Sequence, residues 1–113
     1  MVFSYLYIDD LAKLISHFID NDGKHKFYNA TPNETADLLS IAQKVNELSG
    51  SNHEIIVRNS GLGPEYSGDN SRLRSEIPNF KSTSMGEGIS RLYKWYSEHK
   101  AEIDKSKLIA DKY

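Results

Sequence analysis

The clearest regularity along this chain is an apolar stripe that begins at Leu11 and recurs at Leu14, Ile15, Phe18 and Ile19. Offsets of three and four residues put these side chains on one side of an α-helix, which Asn21-Asp22-Gly23 brings to a stop. Ahead of it, Phe3 to Ile8 is largely aromatic and aliphatic, as suits a strand buried on both faces. Asp9 and Asp10 then supply the short acidic side chains that cap a helix start. Lys26-Phe27-Tyr28-Asn29 reads as a short second strand leaving through a Thr-Pro-Asn loop. Ala36 to Ser49 makes a second helix, with Leu38, Ile41, Ala42, Val45 and Leu48 inward and Gly50 as its C-terminal cap. Glu54 to Arg58, built on Ile55-Ile56-Val57, predicts a third strand, followed by the turn-rich Asn59-Ser-Gly-Leu-Gly-Pro64.

Beyond this loop the apolar supply thins. Asp69-Asn70-Ser71 caps a short helix running to Ile77 and ended by Pro78, and Phe80 anchors the segment that follows. Ser84-Met-Gly-Glu87 has the S-x-x-E form of a capping box and opens a long helix with Met85, Ile89, Leu92, Tyr93 and Tyr96 on one face, reaching about Lys100. Residues 101–113 either extend it or fray. The order is therefore strand, helix, strand, helix, strand, short helix, long helix, a small α/β arrangement whose first two strands are expected to lie parallel. The 113 residues amount to one domain, with no repeat and no dividing linker.

Composition narrows the function classes. Fourteen basic against 16 acidic residues give a net charge of −2 and a pI near 6.1, so no global positive field draws in nucleic acid. The absence of cysteine removes disulfides, thiolate metal sites and cysteine nucleophiles, and fits a reducing, cytoplasmic setting. The apolar N-terminal run is too short for a signal peptide or a membrane helix, so neither membrane nor export is expected. The triplets Asn29-Ala-Thr31 and Asn33-Glu-Thr35 are read as chance matches to the glycosylation signal.

The candidate chemistry is sparse. His17, His25, His53 and His99 share no metal-ligand spacing, and no H-E-x-x-H occurs. The chain has no G-x-S-x-G elbow, no G-x-G-x-x-G dinucleotide loop and no P-loop. Tyr96 and Lys100 form a Y-x-x-x-K spacing, but Tyr96 continues an apolar helix stripe and no nicotinamide loop accompanies it, so a packing role is expected. The richest stretch runs from Arg58 through the glycine-containing loop to Tyr66, Asp69 and Arg72. There a guanidinium can grip a phosphate by a charge-assisted fork and an aromatic ring can pack on a sugar or base.

In this order the pieces resemble the C-terminal third of the extended short-chain dehydrogenases/reductases, the NAD-dependent epimerase/dehydratase family acting on nucleotide sugars. Phe3-Ser-Tyr-Leu-Tyr-Ile-Asp-Asp-Leu-Ala12 resembles that family's R-x-F/Y-x-Y/H-V-x-D-L/V strand and cap, and Phe27-Tyr28-Asn29 its x-Y-N-L/V-G strand end. Tyr66-Ser-Gly-Asp69-Asn-Ser-Arg72-Leu73 resembles its G-D-x-S/T-K-A turn. Met85 to Tyr96 resembles its terminal L/E-x-E-G-I/L-x-x-x-x-x-W helix, with Trp95 in place. The resemblance implies the substrate-binding subdomain without the Rossmann core: a partner for a nucleotide-diphosphate sugar that is not catalytic alone, with NAD or NADP bound by the Rossmann part of a parent chain and no cofactor bound here. It implies substrate contacts from Tyr5, Arg58 and Tyr66, while Tyr28, Asn29, Trp95 and Tyr96 pack and Asp69 and Arg72 brace their turn. Two positions depart from the pattern. Phe3 stands where members often open the strand with a diphosphate-binding arginine, and Arg58-Asn-Ser-Gly-Leu lacks the acidic partner for a ribose. Phe3 favours the alternative of a non-catalytic interaction or oligomerisation module, whereas the retained Arg58 loop favours the substrate-binding reading. Without the larger sheet the fold is expected to expose an edge and an apolar face, and so either to self-associate, as a homodimer, or to be marginally stable.

Overall fold

A computed structural model describes residues 2–58, 61 and 63–110, with side chains through residue 107. It is a small mixed α/β domain with five α-helices and a three-stranded sheet of two-residue strands. β1 (Val2–Phe3) is central, flanked by β2 (Ala36–Asp37) and β3 (Glu65–Tyr66). The helices are α1 (Ile8–Asp20), α2 (Leu38–Ser49), α3 (Ser71–Glu76), α4 (Met85–Glu98) and α5 (Lys105–Ala110), with a 3₁₀ turn at Lys100–Glu102.

The helices follow the apolar periodicity and the caps. α2 begins two residues later than expected, because Asp37 caps it by accepting from the Ser40 amide at 2.9 Å, and Gly50 ends it in the left-handed region at φ 64°. Ser84 caps α4 by accepting from the Glu87 amide at 3.3 Å. After Glu98 the chain turns through the 3₁₀ segment, so the tail extends as a separate short helix, α5, rather than as more of α4.

The strands differ from expectation. Only Val2–Phe3 of the first run is paired; Ser4–Tyr7 is extended, and Ile8 already belongs to α1. Asp9 and Asp10 are not caps: Tyr7 holds the cap position, and its carbonyl accepts from the Asp10 and Leu11 amides. Residues 26–29 form no strand, because side chains hold them. Tyr28 stacks on Phe18 with ring centroids 4.7 Å apart, and Asn29 Nδ2 donates to the Asp69 carbonyl at 2.8 Å. Residues 54–58 are also unpaired, leaving Ile56 and Val57 exposed, since β1 already has a neighbour on each side. The expected parallel pairing of the first two strands is replaced by an antiparallel β1–β2 ladder and a parallel β1–β3 ladder, the latter in the register Val2↔Glu65 and Phe3↔Tyr66.

Packing is thin. Among the described residues the buried apolar side chains are Leu14 of α1, Leu73 of α3 and Pro32, with Asp10 and Asn70 as the buried polar ones. Leu38 and Val45, expected inward, are 57% and 40% exposed. The radius of gyration is 16.9 Å, against about 13 Å for a compact chain of this length.

Three clasps compensate. Asp10, with 0% exposure, accepts from the Thr83 amide at 2.6 Å and the Thr83 hydroxyl at 3.0 Å, tying the start of α1 to the start of α4. Asn70 Nδ2 donates to the Thr31 carbonyl at 2.8 Å and to Asn33 Oδ1 at 2.9 Å. α4 also rests on Tyr7 at the buried Gly88, where a Cβ would make ordinary contact with the ring at 3.4 Å.

Candidate functional site

The parallel β1–β3 ladder carries the site. Residues two apart on an extended segment share a face, and residues opposite in register lie side by side. Phe3 therefore meets both Tyr5, edge-on at 5.9 Å between ring centroids, and Tyr66, tilted at 6.4 Å. The result is a shelf of three rings whose outer member, Tyr66, is 79% exposed. Strand alternation turns Glu65 away from this face, and its carboxylate accepts from the Ser67 hydroxyl at 2.7 Å.

Tyr5 also borders an apolar cavity of about 320 Å³ between the Tyr5–Tyr7 segment, the first turns of α2 and the first half of α4. Leu38, Ile41, Met85, Ile89 and Leu92 supply its greasy walls, and Thr83 and Ser84 its polar rim. Both hydroxyls are committed: Thr83 donates to Asp10, and Ser84 accepts from the Glu87 amide. The lining holds no carboxylate, imidazole or amine, so shelf and cavity can bind rings and apolar groups but offer no acid–base pair.

Two of the three expected contact residues, Tyr5 and Tyr66, are thus brought together, through Phe3. Arg58 is exposed at the end of the extended segment 51–58 and is engaged in an interaction of its own. Phe3, read from sequence as a departure from an arginine pattern, is the ring that joins the shelf; its spacing of two from Tyr5 was the available signal. The expected packing residues divide. Tyr28 packs, half-buried on Phe18; Asn29 is exposed and holds the Asp69 carbonyl by a hydrogen bond; Trp95 and Tyr96 are about half exposed, with Trp95 stacked on His99 at 4.2 Å. Asp69 and Arg72 do brace their turn. Asp69 accepts from the Ser71 amide and hydroxyl, and the guanidinium of Arg72 lies 4.9 Å from the centre of the Phe27 ring. The Ser71 amide, then its hydroxyl, hold the Asp69 carboxyl below the usual carboxylate range.

Compared with family models, curated proteins and solved structures, the chain matches none. Among the described residues, no group of three or more histidine, aspartate or glutamate side chains could hold a metal, and no helix is long and apolar enough to cross a membrane. Three of the helix starts lack the glycine turn that a dinucleotide needs. The residues at the N-caps of α1, α2 and α4 are Tyr7, Asp37 and Ser84, with no glycine turn that would let backbone amides close on a pyrophosphate.

Proposed function

We propose that this chain is the substrate-side portion of an extended short-chain dehydrogenase/reductase, in which Tyr5 and Tyr66 offer a stacking shelf to a nucleotide-diphosphate sugar and Arg58 meets the diphosphate. The observation that carries the reading is the continuous ring contact from Tyr5 through Phe3 to Tyr66, which joins two segments more than fifty residues apart in a pattern suited to a base or the apolar face of a sugar. In this reading the portion is not catalytic by itself, and NAD or NADP belongs to the Rossmann portion of the parent chain.

Saturation-transfer NMR with UDP-, GDP- and dTDP-glucose at about millimolar concentration tests the reading. Transfer to base and sugar protons is expected, lost in Tyr66→Ala and weakened in Arg58→Gln. Absence of transfer from all three sugars would refute it. The second reading, an interaction or oligomerisation module, is favoured by Phe3 in place of the expected arginine and by the thin core. Finding a natural gene product far longer than 113 residues, with a Rossmann portion, would argue for the first; a product of this size that ignores nucleotide sugars would argue for the second.

A further inference from the structure

Among the described residues, four exposed large apolar side chains lie outside the helices: Phe27, Ile56, Val57 and Tyr66. The Arg72 guanidinium lies over the Phe27 ring, and the residues that follow are held. The His25 amide donates to the Tyr28 hydroxyl at 2.9 Å, and Asn29 donates to the Asp69 carbonyl. Tyr66 is paired in β3 and leans on Phe3. Ile56 and Val57 differ from both. They are 76% and 58% exposed on a segment that joins neither helix nor sheet. The hydrogen bonds of this segment engage the Ser51 amide and the His53 carbonyl, and among the described residues none engages the backbone of residues 54–57.

An endopeptidase takes its substrate as an added strand, so it needs backbone whose amides and carbonyls are uncommitted, and side chains to fill its pockets. Helices and paired strands withhold those groups, whereas exposed irregular segments offer them. We propose that Ile55-Ile56-Val57 is a processing site for an endopeptidase that takes a bulky aliphatic residue on the amine side of the bond it cuts, and that the cut chain stays together as two pieces. Water adds across the Ile55–Ile56 or Ile56–Val57 amide. The C–N bond breaks, the carbonyl carbon takes the water oxygen and becomes a carboxylate, and both water protons go to the nitrogen, which becomes an ammonium group.

The contacts that hold the pieces are already in place. Among the described residues, every side-chain hydrogen bond between residues 37 or more apart joins residue 33 or an earlier one to residue 68 or a later one. Asp10 with Thr83, Thr31 and Asn33 with Asn70, and the β1–β3 ladder all run from one piece to the other. None of them uses a residue of the segment that is cut. An intact linker keeps its two ends at an effective concentration of about a millimolar, so at about 100 µM protein the cut weakens their association only about tenfold.

Brief digestion of the full chain at about 100 µM with thermolysin, read by intact mass and then by size-exclusion chromatography, tests the proposal. The first cut is expected between Glu54 and Val57, with both pieces eluting together at the position of the uncut chain and parting only in urea. Ile55→Ser, Ile56→Ser and Val57→Ser combined should slow that cut about tenfold or more, with an unchanged circular-dichroism spectrum. The cut form of Asp10→Ala should part at a lower urea concentration than the cut form of the natural sequence. A first cut before Phe27 or within a helix, a triple variant cut as fast at the same bonds, or pieces that separate as soon as they are cut would each overturn the proposal. It does not rest on nucleotide-sugar binding, and none of its readouts uses that ligand.

Discussion

Asp10 is the residue whose removal should be felt most. Its side chain has no solvent exposure and takes two hydrogen bonds from Thr83, at 2.6 Å to the amide and 3.0 Å to the hydroxyl, with Lys13 Nζ 3.5 Å from Oδ1. The lysine side chain is 65% exposed, so its ion pair adds little. The loss in Asp10→Ala therefore lies in the two Thr83 bonds. A hydrogen bond to a charged group contributes about 1.5–3 kcal/mol, and a buried donor left without an acceptor costs about 1–3 kcal/mol. Thr83 is only half-buried and recovers part of this through water, which gives a net loss of about 3 kcal/mol. Asp10→Asn keeps the volume but sets an amide donor against a Thr83 donor, for about 2 kcal/mol, and Thr83→Val loses the hydroxyl bond alone, for about 1 kcal/mol. Urea unfolding followed by the fluorescence of Trp95, the single tryptophan, measures all three. With a slope of about 2 kcal/mol/M, Asp10→Ala should move the midpoint down by about 1.5 M. The double variant should lose less than the sum of the singles by about 1 kcal/mol, because the hydroxyl bond is counted in both. A loss below about 0.5 kcal/mol for Asp10→Ala, or strict additivity with Thr83→Val, would refute the clasp as a stabilising contact.

Other substitutions probe the helix ends and the turns. Gly50→Ala forces a Cβ into the left-handed region at φ 64° with no neighbour within 4 Å, so thermal unfolding should report a pure backbone penalty of about 1 kcal/mol, smaller for Gly50→Asn. Asp37→Ala removes the cap on the Ser40 amide and should cost about 1 kcal/mol by the same measurement, restored by Asp37→Ser. Gly88→Leu drives a side chain into Tyr7 across a 3.4 Å gap and should destabilise by about 1–3 kcal/mol, whereas Gly88→Ala stays near neutral. Because the folded state lowers the affinity of the Asp69 carboxyl for protons, its contribution is present above the ordinary carboxylate range and is lost as pH falls through and below that range. The carboxyl carbon shift of Asp69 should accordingly titrate below that of an unstructured aspartate, and return only part of the way when Ser71→Ala removes the hydroxyl, because the Ser71 amide, the larger cause, remains.

The helices were legible because each announces itself locally. The Leu11-to-Ile19 stripe, the Ser84 cap and the glycine after Ser49 are signals contained within a few turns of chain, and all three correspond to what forms. The strands were not, because a strand exists only through a partner. Ile55-Ile56-Val57 has the right residues and no open edge to join, while Glu65–Tyr66 has an unremarkable composition and pairs because β1 leaves a side for it. Asp10 shows the same division. Its position before an apolar stripe suits a cap, and only the approach of Thr83, seventy-three residues later, turns it into a clasp. Tyr5 and Tyr66 could be nominated from sequence, but their meeting through Phe3 required the parallel register.

The hydrogen bonds from Asn70 to Thr31 and Asn33 close a loop of nearly forty residues at its neck. Within it lie α2 and the exposed segment 51–58, which reach away from the neck and return through β3. The entropy of closing such a loop rises only as the logarithm of its length, so that doubling it costs about 0.6 kcal/mol. Chain length along 51–58 is therefore nearly free to vary, and residues added there would leave the shelf and both faces of α1 as they are. The neck has no such freedom. The side chains of Asn29, Thr31 and Asn70 together set where the excursion begins and ends, and so help bring Tyr66 back beside Phe3 however long the path between them.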